Sequence, residues 1–314
     1  MTGQKPEIQA AVNPLPMVSV VIPTYHDWSR LKLCLDALAA QTIPAERTEV
    51  IVVNNDPFDP CPYPLPAPNM RIVTESRPGS YAARNAGIGA SRADILAFTD
   101  SDCIPDRQWL EQGVLCLQKE GVMLAGGQVR FMMDRPVSAS ALLEAAGHMD
   151  NEDTIARHGC AVTANLFVHR QVFQNLGLFD GSVKSGGDIA FTQRASAGGY
   201  LLVYCHKALV MHPTRSFSQK LRKAFRVGKG LPFVERKRPA SSGKKTVMLL
   251  LHLVPITHPR RIRRAMKLYS VRQSGVFAKA MFLSVVLGVV KTAGILASLP
   301  YALFAPEKTT GKIP

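Results

Sequence analysis

Three short apolar runs set the fold: residues 18–22 (VSVVI), 50–53 (VIVV) and Ile95–Thr99 (ILAFT) are too short for helices and rich in β-branched residues. Helical spacing separates them. Leu31, Leu33, Leu35, Leu38 and Ala39 fall in a helix after Ser29, residues 81–90 in a second, and Met70–Thr74 is a further strand. Strands alternating with helices build a doubly wound, mostly parallel α/β sheet, whose ligands sit beyond the carboxyl ends of the strands. The third run leads straight into Asp100, Ser101 and Asp102, so a site belongs there.

With 314 residues there is room for one large α/β domain and an appendage, and 46% apolar with 19% charged residues excludes a disordered or collagen-like chain. The organisation read from composition is a polar, flexible tail at 1–16, a catalytic domain at 17–230 and a basic, then apolar, helical extension at 231–314. Residues 57–68 hold six prolines in twelve positions, which suits only a stiff surface loop. The six cysteines form no Cys-x-x-Cys pair, and the length argues against a disulfide scaffold. The first twenty residues lack the apolar run of a signal peptide, so a reducing cytoplasm is the expected compartment.

Alternate residues of an extended segment point the same way, so Asp100 and Asp102 converge past the end of their strand. Two such carboxylates either flank a solvated turn or share a hard cation, Mn²⁺ or Mg²⁺, that also takes phosphate oxygens. From the residues alone both readings stand. Cys103 beside them has no adjacent histidine and reads as packing.

The strings VSVVIPTYHDWSRLKLCLDALAAQ, EVIVVNND, RPGSYAARNAGIGASRADILAFTDSDCIPDRQWL, TANLFVHRQVFQNLGLFD and GGDIAFTQRASAGGYLLVYCHKALVMH, in this order, resemble family-2 glycosyltransferases of the GT-A fold. The resemblance implies an inverting, non-processive transferase using a nucleotide-sugar donor. It places Pro23, Thr24, Tyr25 and Asp27 in the first nucleotide loop, and Arg84 and Asn85 near the diphosphate. Asp100 and Ser101 would lie by the ribose, and Asp102, with Asp100, on the cation. Asn54 stands where the family carries the Asp that reads the base, which weakens any expectation of uracil. Arg84 reads equally as half of a helix-surface ion pair.

Inverting transfer needs an acceptor hydroxyl deprotonated as it attacks. The resemblance gives that task to Asp188, after Gly187 where the family has Glu; Asp188 also suits a helix N-cap. Asn165 and Asp180 match acceptor-side positions, the latter equally a turn residue. His212 matches a histidine that reaches the cation or a phosphate, though a lone His after an apolar strand is also a structural residue. The region KLRKAFRVGKG, with Arg222, Arg226 and Lys229, lacks the Gln-x-x-Arg-Trp of processive synthases, and its cations suit donor phosphates.

The net charge of +15 is local. Of 38 Lys and Arg, 18 lie in residues 215–279 against one acid, Glu235, leaving 20 bases to balance 22 acids elsewhere. Between residues 280 and 305 only Lys291 is charged, a stretch long enough to span a bilayer, lie in its plane, re-enter it or pack on the domain. Cations beside an apolar stretch predict an anionic membrane surface on the cytoplasmic face of the cell membrane, a lipid-linked or membrane-proximal glycan acceptor, and no nucleic acid. Two other classes compete: a nucleotidyltransferase, which normally carries a Gly-x-Gly-x-Arg loop where PTYHDWSR stands, and a membrane- or nucleic-acid-binding module without catalysis.

Overall fold

The structure, a computed structural model, describes residues 18–147, 149–237, 250, 253 and 258–304. The expected tail at 1–16 lies outside the described residues, as does part of the C-terminal extension.

The strands are β1 (Val18–Thr24), β2 (Thr48–Asn54), β3 (Met70–Thr74), β4 (Ile95–Thr99), β5 (Ile104–Pro105), β6 (Val122–Met132), β7 (Asn165–His169) and β8 (Leu201–Pro213). The helices are α1 (Trp28–Ala39), α2 (Ser80–Ala90), α3 (Trp109–Leu117), α4 (Ala139–Ala145), α5 (Asn151–His158), α6 (Arg170–Leu176), α7 (Gly187–Ala197), α8 (Phe217–Lys237), α9 (Pro259–Leu268) and α10 (Ser274–Phe304). All eight strands form one sheet in the order β3-β2-β1-β4-β7-β6-β8-β5. From β3 to β4 the neighbours are parallel, while β7 runs antiparallel to both β4 and β6. The sheet is thus mixed: β1–β4 form one parallel block, β6 and β8 pair in parallel beyond β7, and β5 closes the edge antiparallel to β8.

Alternation sorts the apolar side chains onto two faces. Val18, Val20, Ile22, Val50, Val52 and Ala97 meet Leu31, Leu35 and Trp109 of α1 and α3. Val21, Ile51, Val53, Leu96 and Phe98 meet Tyr81, Phe173 and Phe191 of α2, α6 and α7. Covering both faces explains why β1 is buried at all seven positions. Gly113 of α3 lies against the Phe167 ring so closely that a Cβ there would overlap it. Register sets Thr24 opposite Asn54, so the loops after β1, β2 and β4 open at one end of the sheet.

The extension attaches through a separate apolar cluster of Leu142 and Ala146, Ile262 and Ala265 from α9, and Ala280 from α10. Helix α8 runs unbroken across the boundary read at 230 and carries α10 along one side. Cys116 of α3 and Cys205 of β8 are disulfide-bonded, while Cys34, Cys61, Cys103 and Cys160 are free.

Candidate active site

The loop after β1 follows buried Pro23 and Thr24, turns at His26 (φ +52°), and leaves Tyr25 63% exposed with its ring edge-on to His26. The His26 ring sits between Asp56 (2.9 Å) and Asp59 (3.0 Å), and Trp28 Nε1 donates to Asp59 at 2.9 Å. Asp27 accepts from Arg30 at 2.7 Å and from Ser101 Oγ at 3.1 Å, which ties the first loop to the acidic segment.

Two expected nucleotide contacts are turned inward. Asn54 donates to the Asp59 carbonyl (2.9 Å) and accepts from the Asp56 amide (3.1 Å), so its amide shapes its own loop. Asn85 pairs in both directions with the Phe179 backbone (2.8 and 3.1 Å), fastening α2 to the segment before α7. Asn165 is likewise a core bracket, accepting from Trp109 Nε1 and donating to the Gln128 and Ala208 carbonyls.

Asp100, Asp102, Cys103 and His212 bring one ligand atom each to within 4.8 Å of one another. Arg84, 4% exposed, ion-pairs with Asp100 and is no surface residue. Asp102 lies 3.5 Å from Arg30 and 3.6 Å from His212 Nε2. Burial pushes the Asp102 carboxyl above the usual range and Asp100 adds to this, with His212, Arg215 and Arg30 opposing. Burial, then the two acids, push the Cys103 thiol well up, which disfavours a thiolate nucleophile.

His212 is fully buried. Its Nδ1 lies 2.7 Å from the Pro213 carbonyl, an acceptor only, so Nδ1 carries hydrogen. Nε2 faces the acids, 3.6 Å from Asp102 Oδ1, and has no hydrogen-bond partner among the described residues. A buried ring nitrogen without a hydrogen-bond partner is costly, and a cation bound by the neutral ring would satisfy it.

Asp188 lies in the first turn of α7, whose N-cap is Gly186, so the capping role is not its own. Its Oδ1 accepts from Tyr81 Oη at 2.7 Å and from the Ile189 amide at 3.0 Å; Oδ2 accepts from the Thr163 amide at 3.1 Å and Thr163 Oγ1 at 3.4 Å. Tyr81 and Arg84, three residues apart on one face of α2, thereby connect Asp188 to Asp100. Asp180 turns its carboxylate onto Ser182.

A cavity of about 350 Å³ beside Asp102 is walled by Arg30, Arg215, Arg222, Lys223 and Arg226. Arg30, Arg215 and Lys223 are additions to the residues named from sequence. Behind the cavity, buried Glu144 of α4 pairs with Arg215 (2.6 Å) and Lys220 (3.2 Å). Burial alone would raise the Glu144 carboxyl, but those two cations hold it below its ordinary value. A larger cavity, about 900 Å³, opens between β6, α5 and α9; Phe131 lines it and touches the His212 ring.

The family model described as Glycosyl transferase family 2 matches residues 19–168. Glycosyltransferase AglE from Haloferax volcanii is 40% identical over 222 residues, 69% of this chain and 73% of that protein. The pre-mycofactocin glycosyltransferase of Mycobacterium tuberculosis is 29% identical over 166 residues, 50% of this chain and 35% of its own. Among solved structures, the mannosyltransferase PcManGT from Pyrobaculum calidifontis, in complex with GDP-Man and Mn²⁺, aligns with a TM-score of 0.56 at 20% identity, covering 93% of this chain and 88% of that one; this likeness is one of fold, the GT-A fold. By the extent and identity of these matches, the chain belongs to glycosyl transferase family 2.

Proposed function

We propose that the protein is a cation-dependent inverting glycosyltransferase that moves a sugar from a nucleotide-diphosphate donor to a hydroxyl of a lipid-linked or membrane-proximal glycan. The observation that carries this reading is the unpartnered His212 Nε2 facing Asp102, next to a cavity with five cations. Asp100, Asp102 and His212 would hold a divalent cation, whose chemistry there is to offset charge on the departing diphosphate. Two carboxylates with an imidazole fit Mn²⁺ better than Mg²⁺, which prefers oxygen alone.

Arg30, Arg215, Arg222, Lys223 and Arg226 face the diphosphate and stabilise it as the bond from the anomeric carbon to phosphate oxygen breaks. Asp188 takes the proton of the acceptor hydroxyl as its oxygen bonds the anomeric carbon from the opposite side. Tyr81 and the Thr163 amide fix that carboxylate's orientation, and the 3.4 Å Thr163 Oγ1 contact is the weakest of its bonds, so Oδ2 is the oxygen open to the acceptor. Cytoplasmic nucleotide sugars and the basic extension together support the inner face of the cell membrane as the place of action.

A thermal-shift panel of UDP-, GDP- and CMP-sugars with Mn²⁺ tests the reading. A matching donor at one hundred times its Kd should stabilise the fold by about 2.7 kcal/mol. No response to any donor would overturn it.

A further inference from the structure

The antiparallel packing of α8 on α10 constrains how the apolar helix meets a membrane. Gly228 lies against the Lys291 carbonyl and Gly294 against the Phe225 carbonyl, each so tightly that a Cβ would overlap that oxygen. The two helices are therefore locked backbone to backbone over the part of α10 that is long and apolar enough to cross a bilayer, Gly275–Tyr301. Helix α8 cannot follow it across, because it carries Arg222, Lys223, Arg226 and Lys229, and three of these wall the cavity beside Asp102.

The outer side of α10 has its own pattern. Ala278, Phe282, Val285, Val289, Ala293 and Leu296 are all exposed, and at 100° per residue they fall within an arc of roughly 80°. Lys291 lies on the other side, about 180° around from Phe282. An in-plane helix presents such a stripe to acyl chains and keeps Lys291 away from them, whereas a spanning helix places Lys291 near mid-membrane. Exposed Arg260, Arg263 and Lys267 of α9, with the other bases of residues 215–279, supply the attraction to an anionic surface.

We propose that α10 does not span but lies in the plane of an anionic bilayer, with the stripe from Phe282 to Leu296 seated among acyl chains and the α8 cavity held just above the headgroups. This rests on the membrane-proximal reading above and specifies its geometry.

The test uses full-length protein with Cys61→Ser, removing the one free cysteine that is not buried. Flotation with phosphatidylglycerol–phosphatidylcholine vesicles should succeed for this protein and weaken at least about tenfold for Val285→Asp/Val289→Asp, both positions being solvent-facing. Single cysteines at Gly275 and Tyr301, probed in sealed membrane vesicles with an impermeant maleimide, should respond alike with and without detergent. Labelling at one end only after detergent would show a span and overturn the inference. So would unchanged flotation of the double Asp variant, or an Asp variant that merely turns a dimer into a monomer on sizing. Donor-induced thermal shift is recorded on the same samples: a shift without flotation defeats this inference alone, and loss of both defeats the glycosyltransferase assignment of the site.

Discussion

On the β1–β3 side of Asp102, the amides of Asn54, Asn55 and Asn85 all end on atoms of the protein itself, Asn55 alone bridging the Glu75 and Arg77 carbonyls and the Gly79 amide. On the β8–α8 side, five cations line a cavity with one acid, Asp102, and His212 Nε2 has no hydrogen-bond partner among the described residues. Saturated groups hold a loop in one shape, since each would cost free energy if released. Unsaturated ones keep their interaction for whatever binds. Substitutions on the first side should therefore lower stability and on the second should lower binding or turnover, a division that experiment can break.

The largest expected effect is on chemistry. Asp188→Asn should reduce turnover by about 10²- to 10⁴-fold with donor affinity preserved, measured as kcat under saturating donor. Near-normal turnover would return Asp188 to a purely structural part, tying α7 to Tyr81 and Thr163.

Glu144 sharpens the boundary between the two sides, because it is ion-paired with Arg215 of the cavity wall and with Lys220. Its folded-state carboxyl titrates below the unfolded value, so its contribution is complete above the ordinary carboxylate range and is lost as pH falls through the lowered one. Glu144→Gln leaves Arg215 and Lys220 uncompensated and should cost about 3 kcal/mol near neutral pH. The variant's stability should also fall less steeply than that of the parent below about pH 5 in urea titrations. Equal steepness would remove Glu144 from the acid response.

A smaller effect is expected at Asn165. Asn165→Ala forfeits three buried hydrogen bonds and should destabilise by about 1–3 kcal/mol in urea denaturation, while donor affinity at a temperature where the variant is folded stays within about twofold. A selective loss of affinity would put Asn165 back on the substrate side.

These cases also show what a sequence can and cannot reveal. Met70–Thr74 and Ile95–Thr99 coincide with the strands read from the chain because short β-branched runs between turn residues have few other solutions. The direction of β7 was not legible, since an apolar run pairs either way and only its neighbours β4 and β6 decide. Asn85 and Asn165 took structural places because their partners, Phe179 and the Gln128 and Ala208 carbonyls, lie up to 94 residues away, beyond any local pattern. Arg215 is hidden among 18 similar charges, and only Glu144 and the cavity wall single it out. Asp102 was legible because it follows β4 at the end of the sheet where ligands gather, whereas His212 lies within β8 and only the resemblance pointed to it.

The account turns on Asp102 and the cation it shares with Asp100 and His212. Titration calorimetry of Mn²⁺ with UDP or GDP into the full-length protein and its Asp102→Asn variant measures this directly. The account predicts Mn²⁺-dependent nucleotide binding to the parent and none to the variant, with unfolding curves of equal cooperativity. Equal Mn²⁺-dependent affinity for both proteins would contradict it.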